Sequence, residues 1–521
     1  MAEALHLTLY PLEGVRDWEH RVAKVVTQSG YVWGERGRVW RADGRRELTR
    51  GVCYADGFRL SAVRLGERTH GLTINPHFYV FERTSGTPSD KPMWELLPAP
   101  AVPRLPAFSS RVDAQTAFHQ MLANAKCGIA ATPVGLQNAR TGLLDESRLL
   151  AGPQASECDV TSPLGSILQK EGFGRVPPGL RILLCSPDGP ANKVAIYSRY
   201  LEDAFGRIHV PCRINIVSWS ELTGSVEERE RRADSLVVLI GVHGRKGDPL
   251  TDATKSALAW LDERLVPYRM FSLENSVMKW SSFDQAGVIV AASGGAAYSL
   301  NLPAPADKSP LAYIGLDLGH PLKGERSWVV ATVVDERGHL AAYWRREQKR
   351  DETLQRESLD AALSWVYLQL RKRYRSQCRV VVLRDGRMFE NEDPLIYGQF
   401  FGDRYSLVEV IKHPVPLMLA GRDCAPPGTL CVPRKSDYAF LLTSRSKNHA
   451  EVNLPVKLRI VEDKLDLGLN TLAALIAGLS YAPSLGLSPT RAPSPIYWAN
   501  GLAAIGSTNH QFSGVHWVSH N

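Results

Sequence analysis

The chain has 521 residues, 44% hydrophobic and 22% charged, and a formal net charge of +8. That length admits two to four domains with cores of their own, and the composition excludes a disordered or low-complexity chain. No apolar run reaches the length of a transmembrane helix, and the modest basic excess favours a polyanionic partner without requiring one. Eight cysteines are scattered with no CxxC pair, which argues for reduced thiols and against a disulfide framework or a zinc site. With no leader-like segment at Met1, the expected location is the cytoplasm.

From Met1 to about Arg83 the sequence reads as strands. LHLTLYPL, YVWGERGRVW, ELTRGVCYADGFRLSAVRL and HGLTINPHFYVFE alternate apolar with polar residues around Gly, Asn and Asp turns. Arg36, Arg38, Arg41, Arg45 and Arg46 interleave with Trp33 and Trp40. Two readings follow: a basic, aromatic face for nucleic acid, or an antiparallel sheet with a solvated charged side and tryptophans in its core. Residues 84–108 are proline-dense and read as a connector. A short helix is expected at Ala114–Ala123, with irregular chain and one or two helices up to Glu171. FGRVPPGL (Phe173–Leu180) reads as a linker. Beyond it LRILLC, INIVSW, SLVVLIGV and GVIVAAS read as strands, with helices at Val194–Phe205 and Ala253–Leu265. This alternation gives a small Rossmann-like α/β layer, and the lack of GxGxxG argues against a dinucleotide. Lys255, near a helix start, is either a phosphate contact or a solvated lysine. His243, Arg245 and Lys246 follow a strand, where α/β folds place ligands, but equally suit a solvated turn.

The stretch from Tyr313 to Asp385 carries the strongest pattern. YIGLDLGH is a buried strand bearing Asp317. SWVVATVVDERGHLAAYWRR is a hairpin turning at Asp335–Gly338. Leu354, Leu359, Leu363, Val366 and Leu370 mark one helical face, and VVVLRDGR is a buried strand bearing Asp385. Strand, hairpin, helix, strand with an aspartate on the first and last strands is the start of an RNase H-like fold. Cleavage of a phosphodiester by two divalent ions needs carboxylates on adjacent strands, which gives the pair a chemical purpose. After Asp385, Tyr405–Met418 reads as strand and turn, with Lys412 available to a nucleic-acid backbone. Arg434–Lys447 is rich in cations. Val452–Val461 reads as a strand, and Leu467–Tyr481 as an apolar core helix. HWVSHN ends the chain with His516 and His520 at i,i+4 spacing, a pattern more often incidental than a metal site.

GLDLGH, RDGR and PSPIYWANGLA together resemble the PIWI domain of prokaryotic Argonaute proteins, over about Leu311 to Asn521. The resemblance implies an Asp-Glu-Asp tetrad with a fourth Asp, His or Asn. The aspartates are Asp317 and Asp385. The glutamate, in the loop before the helix, is Glu352, with Asp351 and Glu347 as rivals. Asn500 takes the fourth place. These four would hold Mg2+ or Mn2+, the amide of Asn500 less firmly than a carboxylate. The α/β layer resembles the MID domain, which clamps the guide 5′ end. Its pocket pattern falls on Thr251 and Lys255, with the glutamine place near Tyr268 or Arg269. Ala292 stands where a second lysine is usual. A less basic pocket and a fourth-place Asn both occur in a subgroup that takes 5′-hydroxyl guides. After Lys412 the usual arginine is absent, Pro416 and Leu417 standing there. Between Phe108 and Val176 there is too little chain for an ordinary PAZ domain. Trp517 marks the usual C-terminus, with Val518–Asn521 beyond it.

The expected architecture is therefore α/β: a β-rich N-terminal module (1–108), a helical or irregular linker region (109–172), a Rossmann-like MID domain (173–304) and an RNase H-like PIWI domain (305–521). The implied activity is guide-directed, two-metal endonucleolytic cleavage of single-stranded nucleic acid, in defence against foreign DNA. Thr251, Lys255, Arg269 and Lys412 would contact the guide. The implied partners are a short guide and a complementary DNA or RNA target, with an effector or a PAZ-supplying protein as a further one. The alternative is a catalytically silent short Argonaute that activates an effector.

Overall fold

The structure is a computed structural model. It describes residues 5–49, 52–82, 85–89, 108–187, 191–222, 224, 236–242, 251–263, 266, 268–273, 282–283, 285–290, 293, 295–303, 309–319, 326–351, 353–375, 378–389, 392–444, 453–482, 489–505 and 515–516. His243, Arg245, Lys246, Ala292, Glu352, Trp517 and His520 lie outside the described residues. The chain divides into two compact units, Met1–Leu143 with Ile411–Arg459 and Leu144–Val410 with Ile460–Asn521.

The first unit is β-rich. Two 13-residue strands, Val52–Arg64 and His70–Glu82, pair antiparallel from Val52↔Glu82 to Arg64↔His70. Strands Arg38–Arg41 and Tyr31–Gly34 extend the sheet on one side and Leu9–Pro11 on the other. One face buries Phe58, Leu60, Leu72 and Ile74 with Val22, Val26, Phe118 and Leu122 of helices Trp18–Gln28 and Phe108–Asn124. The other face buries Trp40 with Tyr79 and Phe81. Period-two alternation thus fills both sides, and Trp40 belongs to the core. Arg45 stacks 4.2 Å from the Phe81 ring centroid and donates to the Ser85 and Gly86 carbonyls at 3.1 and 2.7 Å.

Two local expectations change. Helix Phe108–Asn124 is longer than the expected Ala114–Ala123. Between it and helix Leu164–Glu171 stand three short strands, not irregular chain. Leu136–Arg140 pairs with Thr429–Pro433, and Arg148–Ala151 pairs with both Ser156–Asp159 and Tyr298–Asn301. Strands this short carry little pattern, and Leu136–Arg140 and Arg148–Ala151 are held by partners far along the chain.

In the second unit, parallel strands stand in the order Arg213–Ile216, Arg181–Cys185, Leu236–Val242, Tyr268–Ser272. Helices Ala191–Arg207 and Asp252–Glu263 are their crossovers, which is the expected Rossmann-like layer. Val515–His516 adds an antiparallel edge against Tyr268 and Arg269. His516 is therefore in a two-residue strand, and its i,i+4 counterpart His520 lies outside the described residues. The GVIVAAS segment is helical over residues 285–290, not a strand, with Val288, Ile289 and Val290 buried. A short, fully buried apolar run does not distinguish the two by periodicity.

The larger sheet of this unit runs Leu340–Lys349, Arg326–Val334, Leu311–Gly319, Arg379–Asp385, Tyr405–Ile411. Ala312, Ile314, Leu316 and Leu318 join Val380 and Val382 against Leu359, Leu363, Val366 and Leu370 of helix Arg356–Tyr374. That hairpin, helix and strand sequence is the RNase H-like order read from the chain.

Asp335 locks the hairpin turn. Its Oδ1 accepts from the Arg337 and His339 amides at 3.1 and 2.9 Å, and its Oδ2 accepts from Arg373 on the long helix at 2.6 Å. Burial works against its charge, but the His339 bonds and the Arg373 guanidinium outweigh it and hold the carboxyl below its usual range. An unfolded chain therefore binds a proton at Asp335 before the folded one does. The stabilisation is present above about pH 4, the unfolded value, and is lost as pH falls through the folded one. Asp335→Asn is expected to cost about 1.5–3 kcal/mol at pH 7. The difference from wild type should shrink steadily in thermal melts below pH 4.

Candidate active site

Strands Leu311–Gly319 and Arg379–Asp385 pair in parallel from Leu311↔Arg379 to Leu316↔Arg384. The next position on each is Asp317 and Asp385. In-register neighbours of a parallel pair face the same side, with strands about 4.8 Å apart. Both aspartates are nearly buried, 6% and 8% exposed. Asp317 Oδ1 accepts from the Leu318 amide at 2.7 Å, which fixes its rotamer.

That face is roofed by helix Ser494–Ile505. The antiparallel partner of Asp317 is Val330, which packs on Ala499, Leu502 and Ala503. Gly315 and Gly319 allow the approach. A Cβ at Gly315 would lie 2.2 Å from the Pro495 carbonyl oxygen, and one at Gly319 would lie 2.4 Å from Ala503 Cβ. Thr332 Oγ1 also donates to the Pro495 carbonyl at 2.9 Å. Four strand residues rise about 13 Å and eight helical residues about 12 Å. Helix and strand thus run side by side, which puts Asp317 level with Ala499 and its exposed neighbour Asn500. The structure therefore brings Asp317, Asp385 and Asn500 to one side of one sheet.

Described residues of the loop before the long helix are held by side-chain hydrogen bonds. Gln348 Nε2 donates to the Thr353 carbonyl at 2.8 Å, and its Oε1 accepts from the Gln355 amide at 3.2 Å. Of the rivals to Glu352, Asp351 accepts from the Thr353 amide at 3.2 Å and Glu347 is ion-paired to Arg326. Both already serve local structure. Among the described residues no group of three or more His, Cys, Asp or Glu is placed to hold a metal ion. The donors present, two carboxylates and an amide, are hard oxygens of the kind Mg2+ and Mn2+ prefer.

Sequence reading missed the buried pair beside this centre. Arg384 Nη2 and Nε donate to Glu392 Oε1 and Oε2 at 3.0 and 3.2 Å, with both side chains almost fully buried. Burial opposes the Arg384 charge, but the Glu392 carboxylate outweighs it and raises the arginine pKa. A signal existed: Arg384 shares the strand phase of Val380 and Val382, the inward one, where an arginine needs an acid.

In the Rossmann-like layer Thr251 is a helix N-cap, its Oγ1 accepting from the Thr254 amide at 3.2 Å. Lys255 is exposed and pairs with Asp252 at 2.9 Å. Arg269 lies on strand Tyr268–Ser272, its backbone paired to Leu239 and Val515. Lys412 is half-buried, at the end of strand Tyr405–Ile411, in the first unit.

No protein-family model and no curated protein matches this sequence. Solved structures do. Drosophila Piwi aligns over 98% of this chain and 88% of its own, with a TM-score of 0.63 at 13% identity. The chain has the Argonaute/Piwi fold. Aquifex aeolicus Argonaute aligns over 97% of this chain and 98% of its own, TM-score 0.57 at 13% identity. Marinitoga piezophila Argonaute, solved with a 5′-OH guide RNA and target DNA, aligns over 94% and 85%, TM-score 0.61 at 12% identity. The β-rich N-terminal sheets, the parallel layer and the mixed sheet fit the N-terminal, MID and PIWI parts of an Argonaute fold. Among the described residues no helix is long and apolar enough to cross a membrane.

The Argonaute-like roof over Asp317 depends on glycine. Gly315→Ala should destabilise by about 1–3 kcal/mol, since its Cβ meets backbone that has to move. Gly206→Ala is the control: it lies in helix Ala191–Arg207 with nothing within 4 Å of the added Cβ. It should leave the thermal midpoint unchanged or raise it by the equivalent of about 1 kcal/mol.

Proposed function

We propose that this protein is a guide-directed endonuclease. The observation that carries the reading is the parallel register that runs to Leu316↔Arg384, one position before Asp317 and Asp385, with both aspartates nearly buried. Two nearly buried carboxylates on neighbouring strands are the arrangement that two-metal phosphodiester chemistry needs. Asp317, Asp385, Asn500 and, from the loop, Glu352 are the donors that would hold Mg2+ or Mn2+. Such ions supply electrostatic stabilisation of an in-line phosphodiester displacement and an activated water. The strands' part is to hold the two aspartates between two packed faces. A short guide, lying against the MID-like and PIWI-like parts, selects the target by base pairing while the protein reads backbone and duplex shape.

The MID-like residues support a guide with a 5′-hydroxyl end. Thr251 is engaged in capping, Lys255 is paired with Asp252, and Ala292 stands where a lysine is usual. That leaves little fixed positive charge for a terminal phosphate dianion. The Marinitoga piezophila protein, of the same fold, was solved with such a guide. Lys412 and Arg269 are assigned to sequence-independent guide contacts, the partners being the guide and its complementary DNA or RNA target.

The test is cleavage of a labelled single-stranded target by purified, guide-loaded protein with Mn2+, offering RNA and DNA guides with either 5′ end. The expected result is a cut at one fixed distance from the guide 5′ end, strongest with a 5′-hydroxyl guide. Asp385→Asn should abolish it with guide affinity unchanged. Tight guide binding by wild type without any cut would overturn the nuclease reading in favour of a silent sensor that acts through an effector.

A further inference from the structure

The Arg384–Glu392 pair does more than fill the core. Arg384 immediately precedes Asp385, and by strand alternation its side chain leaves on the opposite face. Two of its nitrogens bind the two oxygens of Glu392, and Nη1 donates to the carbonyl of Asp385. Glu392 Oε1 also accepts from the Leu354 amide at 3.2 Å. One buried carboxylate therefore ties the end of the Asp385 strand to the loop that precedes helix Arg356–Tyr374. Gln348 grips that loop from its other side, at Thr353 and Gln355.

A buried ion pair can commonly be replaced by apolar residues without loss of stability. Here such a replacement would strip the acceptor from the Leu354 amide, so the pair's distinctive contribution is the position of a loop. We propose that Glu392 is a positioning residue of the nuclease centre, holding the Asp385 strand end and the Thr353–Gln355 loop at one spacing. This rests on the nuclease reading above, in which both segments border the divalent-ion site. Residues behind a metal's direct ligands commonly change its affinity by about 10–100-fold when removed.

Two variants separate positioning from plain stability. Glu392→Gln keeps the shape and one acceptor oxygen. The double variant Arg384→Met with Glu392→Leu removes both charges and refills the volume, leaving the Leu354 amide without its acceptor. Each is followed by thermal melting, by hydrogen exchange at the Leu354 amide, by calorimetric Mn2+ binding to guide-free protein and by cleavage against Mn2+ concentration. A folded double variant should exchange Leu354 faster, bind Mn2+ about tenfold or more weakly, and regain part of its lost cleavage at high Mn2+. Glu392→Gln should show the same changes in smaller measure, and it carries the test where the double variant does not fold. Wild-type Mn2+ affinity and Leu354 exchange in either folded variant would overturn the positioning role, with Asp385-dependent cleavage still intact. If wild type itself shows no Asp385-dependent Mn2+ binding or cleavage, the nuclease reading falls, and this inference with it.

Discussion

Everything proposed for this protein depends on one pairing, the parallel register between Leu311–Gly319 and Arg379–Asp385. Side-chain period in a strand is two, so a slip of one residue would send one aspartate to the helix-packed core face. Two constraints fix the register. On one face, Ala312, Ile314, Leu316, Val380 and Val382 are committed to the long helix. On the other, Gly315 and Gly319 are committed to the close approach of Pro495 and Ala503. Asp317 and Asp385 take the only phase left to them. The acidic pair is thus placed by hydrophobic and steric demands outside itself, and its rigidity is inherited from both sides.

The order of elements was legible because each had a strong period. The hairpin turning at Asp335, the helical face from Leu359 to Leu370 and the two aspartate strands all stand where alternation and i,i+4 spacing put them. Legibility failed where period is weak. Leu136–Arg140 is a strand because the distant Thr429–Pro433 pairs with it, and Ser156–Asp159 because Arg148–Ala151 does; QNAR or ECD carries no alternation to announce it. The 285–290 helix reads equally as a strand, since its Val288, Ile289 and Val290 run is apolar and buried whichever period is assumed. The Arg384–Glu392 pair was missed for a different reason: its two members are separated by a loop, and only the inward phase of Arg384 hints at a partner.

The N-terminal sheet shows how charge patterns mislead when read without packing. Five arginines among tryptophans resemble a nucleic-acid face. Yet Trp40 is buried against Tyr79 and Phe81, Arg45 stacks on Phe81 and binds two carbonyls, and Arg41 pairs with Asp43. Arg41 and Arg45, two of the five, thus have partners within the chain. The same caution applies to Lys255, whose partner Asp252 sits in the same helical turn. An exposed i,i+3 pair stabilises the helix only slightly, so its competition for an incoming anion is weak but real.

At the aspartate pair, negative charge is concentrated with its neighbouring guanidinium, Arg384, directed to the opposite face and bound by Glu392. Burial opposes the Arg384 charge; Glu392 chiefly, with a smaller contribution from Asp317, outweighs it and keeps the guanidinium charged. Alternation along these strands turns the two carboxylates to one face and the Arg384–Glu392 pair to the other, so a single register sorts the candidate donors from the buried ion pair behind them.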